Sequence, residues 1–113
     1  MDNFSFYNPT RVIFGKNTIQ QIGRELETAG INRILLMAGK GSIKTNGVYD
    51  SVIESLKRHG ITACEYWGVR PNPLLSEVNE AAAMARKENV QAVLAVGGGS
   101  VIDAAKAAAA ACY

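Results

Sequence analysis

The sequence predicts an α/β fold, a parallel sheet with flanking helices, preceded by an N-terminal β-hairpin. Three observations carry that expectation. Strand-like segments recur near positions 34, 61 and 92, each followed by a segment with helical character. Such alternation at about thirty-residue intervals is the mark of right-handed βαβ crossovers and a parallel sheet. The runs Ile34-Leu35-Leu36-Met37 and Val93-Leu94-Ala95-Val96 are apolar at every position, as strands buried on both faces are. Glycines then punctuate the ends of these runs, where turns must form.

The elements follow in order. Phe4-Ser5-Phe6-Tyr7 and Arg11-Val12-Ile13-Phe14 are β-prone and separated by Asn8-Pro9-Thr10, which predicts an antiparallel hairpin. Residues Thr18 to Ala29 carry Ile19, Ile22, Leu26 and Ala29 at helical spacing, with Gly30 as the stop. Ile34 to Met37 is the first buried strand. Val48 to His59 is helical, with Val48, Val52, Ile53 and Leu56 on one stripe and Gly60 ending it. Ile61 to Trp67 reads as strand. Pro71-Asn72-Pro73 is a rigid turn, because proline fixes its own backbone and restrains its predecessor. Leu75 to Glu88 is helix, Ala92 to Val96 strand, and Ser100 onward helix, alanine-rich over 104–111. The 113 residues suit one domain with one modest core.

Composition excludes several classes of function. Apolar residues make up 48% and charged residues 19% of the chain, an ordinary globular balance. A net charge of +2 is too small to argue for nucleic acid. No apolar run reaches the ~18 residues a membrane span requires, and Met1-Asp2-Asn3-Phe4 lacks the basic start and apolar stretch of a signal peptide. No membrane association and a cytoplasmic location are therefore expected. Cys64 and Cys112 lie in no Cys-x-x-Cys pair and are expected as buried, reduced thiols. His59, the one histidine, precedes Gly60 at a helix end and is expected to cap carbonyls there. No metal-ligand cluster is visible.

The chemistry concentrates where strands give way to glycine. Val93 to Val96 runs into Gly97-Gly98-Gly99-Ser100 and then into a helix. Strand, glycine turn and helix N-terminus suit a phosphate or diphosphate, since the backbone comes close and the first-turn N–H groups point at the ligand. The helix dipole adds roughly half a positive charge. The Gly-x-Gly-x-x-Gly fingerprint is not met, because position 102 is Ile. Ser100 and Asp103 also read as a capping box, a structural role that leaves spare donors for a ligand. A second glycine loop, Gly39-Lys40-Gly41-Ser42, follows the first strand and would open on the same sheet edge. An Asp or Glu near such a strand end accepts from the ribose 2′-hydroxyl of NAD. Residues 38–44 hold no acid but a hydroxyl and two ammonium groups, which suit a 2′-phosphate and favour NADP over NAD. An exposed loop whose lysines serve solubility is the alternative.

These residues resemble the iron-containing (group III) alcohol dehydrogenases. The resemblance covers nearly the whole chain. Phe14-Gly15-Lys16, Gly41-Ser42-Ile43-Lys44 with Gly47-Val48-Tyr49-Asp50, Asn72-Pro73, and Gly97-Gly98-Gly99-Ser100-Val101-Ile102-Asp103-Ala104-Ala105-Lys106 stand in that family's order. The branch it resembles most is that of the NADP-dependent butanol dehydrogenases and aldehyde reductases. Dehydroquinate synthase and glycerol-1-phosphate dehydrogenase share the sheet and a glycine turn, but Asn72-Pro73 and the Gly-Ser-Ile-Lys segment favour the alcohol dehydrogenases.

The resemblance implies a Rossmann-like dinucleotide-binding domain over 1–113. Gly98, Gly99 and Ser100 would hold the cofactor diphosphate, and Asp103 would lie toward the nicotinamide. Gly39, Gly41 and Ser42 would sit by the adenosine, with Ser42 and Lys44 on the 2′-phosphate and Asn72 nearby. Lys106 is as well explained by structure. No catalytic residue and no metal ligand is expected among these residues. Family members continue into an all-helical half that supplies one Asp and three His to Fe²⁺ or Zn²⁺ beside the pocket for a small alcohol or aldehyde. The expectation is thus a truncated, cofactor-binding half that is inactive alone. A stand-alone nucleotide-binding or oligomerisation module is the alternative. The resemblance also implies a homo-oligomer, with the N-terminal hairpin pairing across a dimer interface. Apolar surface left bare on the last helix would make the isolated chain associate or be marginally stable.

Overall fold

The computed structural model describes residues 3–8, 11–14, 21–39, 47–69, 75–97 and 99–112. Five strands and four helices stand among them: β1 (Asn3–Asn8), β2 (Arg11–Phe14), α1 (Ile22–Thr28), β3 (Arg33–Ala38), α2 (Val48–Arg58), β4 (Thr62–Tyr66), α3 (Leu75–Lys87), β5 (Ala92–Gly97) and α4 (Gly99–Cys112). The strands form one sheet in the order β2-β1-β5-β3-β4. β3 pairs in parallel with β4 and with β5, while β1 is antiparallel to both β2 and β5. The expected α/β architecture is present, a three-stranded parallel sheet flanked by helices, and so is the hairpin.

Why these runs form the centre is plain from their two faces. Ile34, Leu36, Ala38, Ala92, Leu94 and Val96 point to one side and pack on Ile22 and Leu26 of α1 and Val52 and Leu56 of α2. The alternate residues Leu35, Met37, Val93 and Ala95 point to the other side, against Ala81 and Ala85 of α3 and Val101, Ala104, Ala105 and Ala108 of α4. Strand side chains alternate with period two, so a strand with a helix layer on each face must be apolar throughout. β4, at the sheet edge, is only half-buried beyond Thr62 and accordingly accepts Thr62, Cys64 and Glu65.

Small residues set the distances between layers. α4 meets the sheet through alanines and packs against α3, β5 and β1. Its outward positions Ala107, Ala110 and Ala111 are exposed alanines, and Leu75 is the exposed large apolar side chain among the described residues. β1, β5 and α3 cover the inner faces of this helix from within the chain, and the alanines at 107, 110 and 111 stay exposed on it. Arg86, in the last turn of α3, donates to Ala111 O at 3.2 Å and caps carbonyls at the end of α4.

α1 and α2 come closer still. Gly23 lies at their crossing, and its N–H donates to the buried Ser55 Oγ at 2.9 Å. Gln21 offers α1 no side-chain cap, so a free first-turn donor is satisfied by a residue 32 positions on. His59 lies beside this contact and departs from the sequence expectation. Its Nδ1 is 3.0 Å from Glu27 Oε1 of α1, so its ring ties two helices together instead of capping carbonyls of its own.

Within the chain the hairpin is part of the sheet: β1 is hydrogen-bonded along its inner side to β5, Asn3 opposite Gly97 through Tyr7 opposite Val93. What the hairpin offers another copy is the outer edge of β2.

Candidate functional site

The two ends of the parallel strands are built for different purposes. At the amino ends, one side chain stitches β3 to β5: Gln91 Oε1 accepts from Asn32 N at 2.7 Å and from Arg33 N at 3.1 Å, and Gln91 N donates to Arg33 O at 2.8 Å. Arg33 Nε adds a bond to Glu88 O at 2.9 Å. At the carboxyl ends the same two strands finish in glycine. Ala38 is paired with Val96, which places Gly39 beside Gly97.

The chain leaves these neighbouring ends in opposite directions. β3 is followed by α2, on one face of the sheet, and β5 by α4, on the other. Adjacent parallel strands whose connections diverge leave a crevice outside their carboxyl ends, the switch point where α/β sheets take ligands. Val101 forms its back wall. A Cβ built on Gly39 would stand 3.6 Å from Val101 Cγ2, and one on Gly97 would stand 3.0 Å from the same methyl. Gly97 also has φ of +148°, where L side chains are strained. Glycine at 97 keeps the crevice open and lets the strand turn into α4.

The expected site residues divide. Gly39 is half-buried at the mouth of the crevice. Gly99 and Ser100 lie in the first turn of α4, and Asp103 is exposed about one turn further on, with Lys106 exposed beyond it. α4 is assigned from Gly99, one residue before Ser100. Gly41, Ser42, Lys44, Asn72 and Gly98 lie outside the described residues. In the sequence Gly97 reads only as part of the turn; its positive φ and its approach to Val101 arise from the packing of α4.

A cluster missed by sequence reading flanks the crevice. Glu65 of β4 accepts from Tyr49 Oη at 2.8 Å and from Trp67 Nε1 at 2.7 Å. The Tyr49 and Trp67 rings lie 5.3 Å apart at 55°. On the other face of β4, the half-buried Cys64 thiol points to Ile34 O at 3.6 Å. The hydrogen bond to Glu65, aided by burial, pushes the Tyr49 phenol above its ordinary 10.0. Burial, with the Glu88 charge, pushes the Cys64 thiol above 9.0. A pKa raised by folding stabilises the protein fully below the ordinary value and loses that stabilisation as pH climbs through the raised one. The melting temperature should hold across the neutral range and fall as pH rises past 9.0 and then 10.0. Tyr49→Phe should remove the later part of that fall. An unchanged alkaline profile in the variant would count against Tyr49 as its source.

Among the described residues, no group of three or more His, Cys, Asp and Glu is placed to hold a metal ion, and no helix is long and apolar enough to cross a membrane.

Comparison with known proteins agrees with this geometry. Residues 9–113 match the family described as iron-containing alcohol dehydrogenase. The chain is 49% identical over 110 residues to a probable NADH-dependent butanol dehydrogenase 1 of Bacillus subtilis (strain 168), covering 97% of this chain and 28% of that protein. It is 40% identical over 111 residues to the NADPH-dependent aldehyde reductase YqhD of Escherichia coli (strain K12), covering 98% and 28%. Its structure is similar to that of NADH-dependent butanol dehydrogenase A from Thermotoga maritima, with a TM-score of 0.79 and 54% identity over 88% of this chain and 25% of that one. The chain thus spans little more than a quarter of the length of these relatives. With the sheet, the diverging connections and the glycine-lined crevice in agreement, the chain belongs to the iron-containing alcohol dehydrogenase family, whose relatives here are oxidoreductases.

Proposed function

We propose that this chain is the cofactor-binding part of a metal-dependent alcohol dehydrogenase or aldehyde reductase, and that it holds a nicotinamide dinucleotide across the β3–β5 crevice. The supporting observation is the pair of glycines at the switch point, Gly39 and Gly97, closed behind by Val101. A side chain at either glycine would fill space that a diphosphate needs. In this reading Gly98, Gly99 and Ser100 take the diphosphate on the first-turn N–H groups of α4, and Asp103 lies toward the nicotinamide. Gly39, Gly41, Ser42 and Lys44 take the adenosine end, with Asn72 beside it.

The bound nicotinamide supplies hydride chemistry, exchanging a hydride with a small primary alcohol or aldehyde; the chain's own residues bind and orient it. The described residues do not fit a catalytic Fe²⁺ or Zn²⁺, so the reading assigns no turnover to these residues alone.

The adenosine end carries the choice between cofactors. Residues 38–44 present Ser42, Lys40 and Lys44 and no acid, chemistry that suits the 2′-phosphate of NADP. The names of the relatives divide between NADH and NADPH, so a direct titration decides. Nicotinamide fluorescence should show NADPH binding about tenfold tighter than NADH, the worth of one charge-assisted hydrogen bond. Ser42→Asp should reverse the order, by repelling the phosphate and accepting from a free 2′-hydroxyl. Equal affinities would remove the 2′-phosphate contact from the reading, and no binding of either would remove the cofactor from this chain.

A further inference from the structure

We propose that Glu65 is a positioning residue for the adenosine end of the cofactor, acting through Tyr49 and Trp67; the inference rests on the reading that the crevice holds a dinucleotide. Two stems flank the carboxyl end of β3. One is Ala38-Gly39, where the strand ends; the other is the start of α2 at Val48, later in the sequence. Both are tied to the same short stretch, residues 65–69.

The first stem is held by backbone. Val69 N donates to Ala38 O at 3.2 Å, and Gly68 N donates to Gly39 O at 2.9 Å. The second is held by side chains. Gly47, at the N-cap of α2, has no side chain with which to fix the helix start. Tyr49, in the first turn, reaches across to Glu65 instead. Trp67 occupies the other carboxylate oxygen and packs its ring on Tyr49. A carboxylate with each oxygen taken by a different donor is fixed in direction as well as place. Since Trp67 is followed directly by Gly68, the cluster that orients the start of α2 is continuous with the bonds that hold Gly39.

The cluster therefore sets the spacing between the two stems from which the adenosine end would be held. A ligand contact gains from such a device because the ordering is done before binding. A plain staple of α2 to β4 would use the same bonds, and the two roles separate on which part of the ligand feels their loss.

The test compares two fragments of the cofactor by calorimetry: 2′,5′-ADP, which carries the adenosine end, and inorganic pyrophosphate, which probes the glycine turn before α4. Tyr49→Phe, which keeps the ring, and Glu65→Ala should each weaken 2′,5′-ADP about tenfold, as the loss of a hydrogen bond to a charged group does. Pyrophosphate should change less than about twofold, because α4 packs on the opposite face of the sheet from Tyr49 and Trp67. Glu65→Gln should recover only part of the loss: its one amide oxygen can still accept from Trp67 Nε1, while its NH2 group faces the Tyr49 hydroxyl, which must then accept. If the variants lower the melting temperature while both affinities stay put, Glu65 is a staple and the positioning role is overturned. If both ligands weaken alike, the effect is global and the role is likewise overturned. A wild-type chain that binds none of NADPH, NADH and 2′,5′-ADP overturns the cofactor reading itself, a result distinct from any in the variants.

Discussion

Replacing Gly23 by alanine should lower stability by about 3 kcal/mol, the upper part of the range for overpacking a filled core. For a domain of this size the melting temperature should drop by about 15 °C. A methyl at this position would overlap the backbone carbonyl of Ser55, and the His59 ring stands next to it. Backbone on a packed helix cannot rotate away as a side-chain tip can, so α1 and α2 must separate. Separation also stretches the bond from Gly23 N to Ser55 Oγ, leaving a buried donor poorly paired, and weakens the Glu27–His59 contact. Ser55→Ala isolates the second effect: it removes the acceptor with no overlap and should cost about 1–3 kcal/mol. Thermal unfolding of both variants checks the claim. A Gly23→Ala protein that melts within a few degrees of the parent would mean that the helices have slack the packing does not show.

Gly97→Ala should cost about 2 kcal/mol by itself, since it forces an alanine into a region of backbone space that carries about 1–3 kcal/mol of strain. The φ of +148° supplies that strain, and the 3.0 Å approach to Val101 Cγ2 adds to it. Because the new methyl would also enter the crevice, dinucleotide affinity should fall at least about tenfold, more than stability alone explains. Val101→Ala in the same chain should relieve the steric share and leave the backbone share, so the double variant should recover stability in part. Gly39→Ala is the control for strain. Its Cβ would meet neighbours at 3.6 Å, ordinary contact distance, so it should cost well under about 1 kcal/mol. A Gly97→Ala chain as stable as the Gly39→Ala chain would refute the argument.

The centre of the sheet was readable because its residues answer to one constraint. Ile34 to Met37 and Val93 to Val96 face helices on both sides, and only continuous apolar runs survive there. The helices from Val48 and Leu75 were readable for a related reason, since a stripe at helical spacing must face something apolar. The hairpin was readable from local turn chemistry, but its place was not. That β1 lies against β5 depends on pairing across some ninety residues, which no local pattern encodes.

The site shows the same division. A strand ending in glycine before a helix announces a phosphate-compatible turn, yet the helix starts one residue earlier than the serine suggests, at Gly99. Gly23 looks like an ordinary helix residue until Ser55 is brought against it. Glu65 and Trp67 share a face of β4 by simple alternation, but Tyr49 joins them only because α2 is laid antiparallel to β4 in space after the crossover. Contacts of this kind are tertiary, and a single sequence carries their parts without their assembly.

The position of β5 governs how such a chain can be made. Among the described strands it comes last in the sequence, and it sits between β1 and β3. At synthesis rates of about 5–20 residues per second, the hairpin waits on the order of ten seconds for its neighbour. Until residue 97 emerges, the nascent chain holds two unjoined pieces, a hairpin and a β3–β4 pair, each with an open edge. Joining the two pieces is then a single late insertion of β5 between β1 and β3. A chaperone that shields strand edges would find its work in that interval, and a translational pause just before residue 92 would lengthen it.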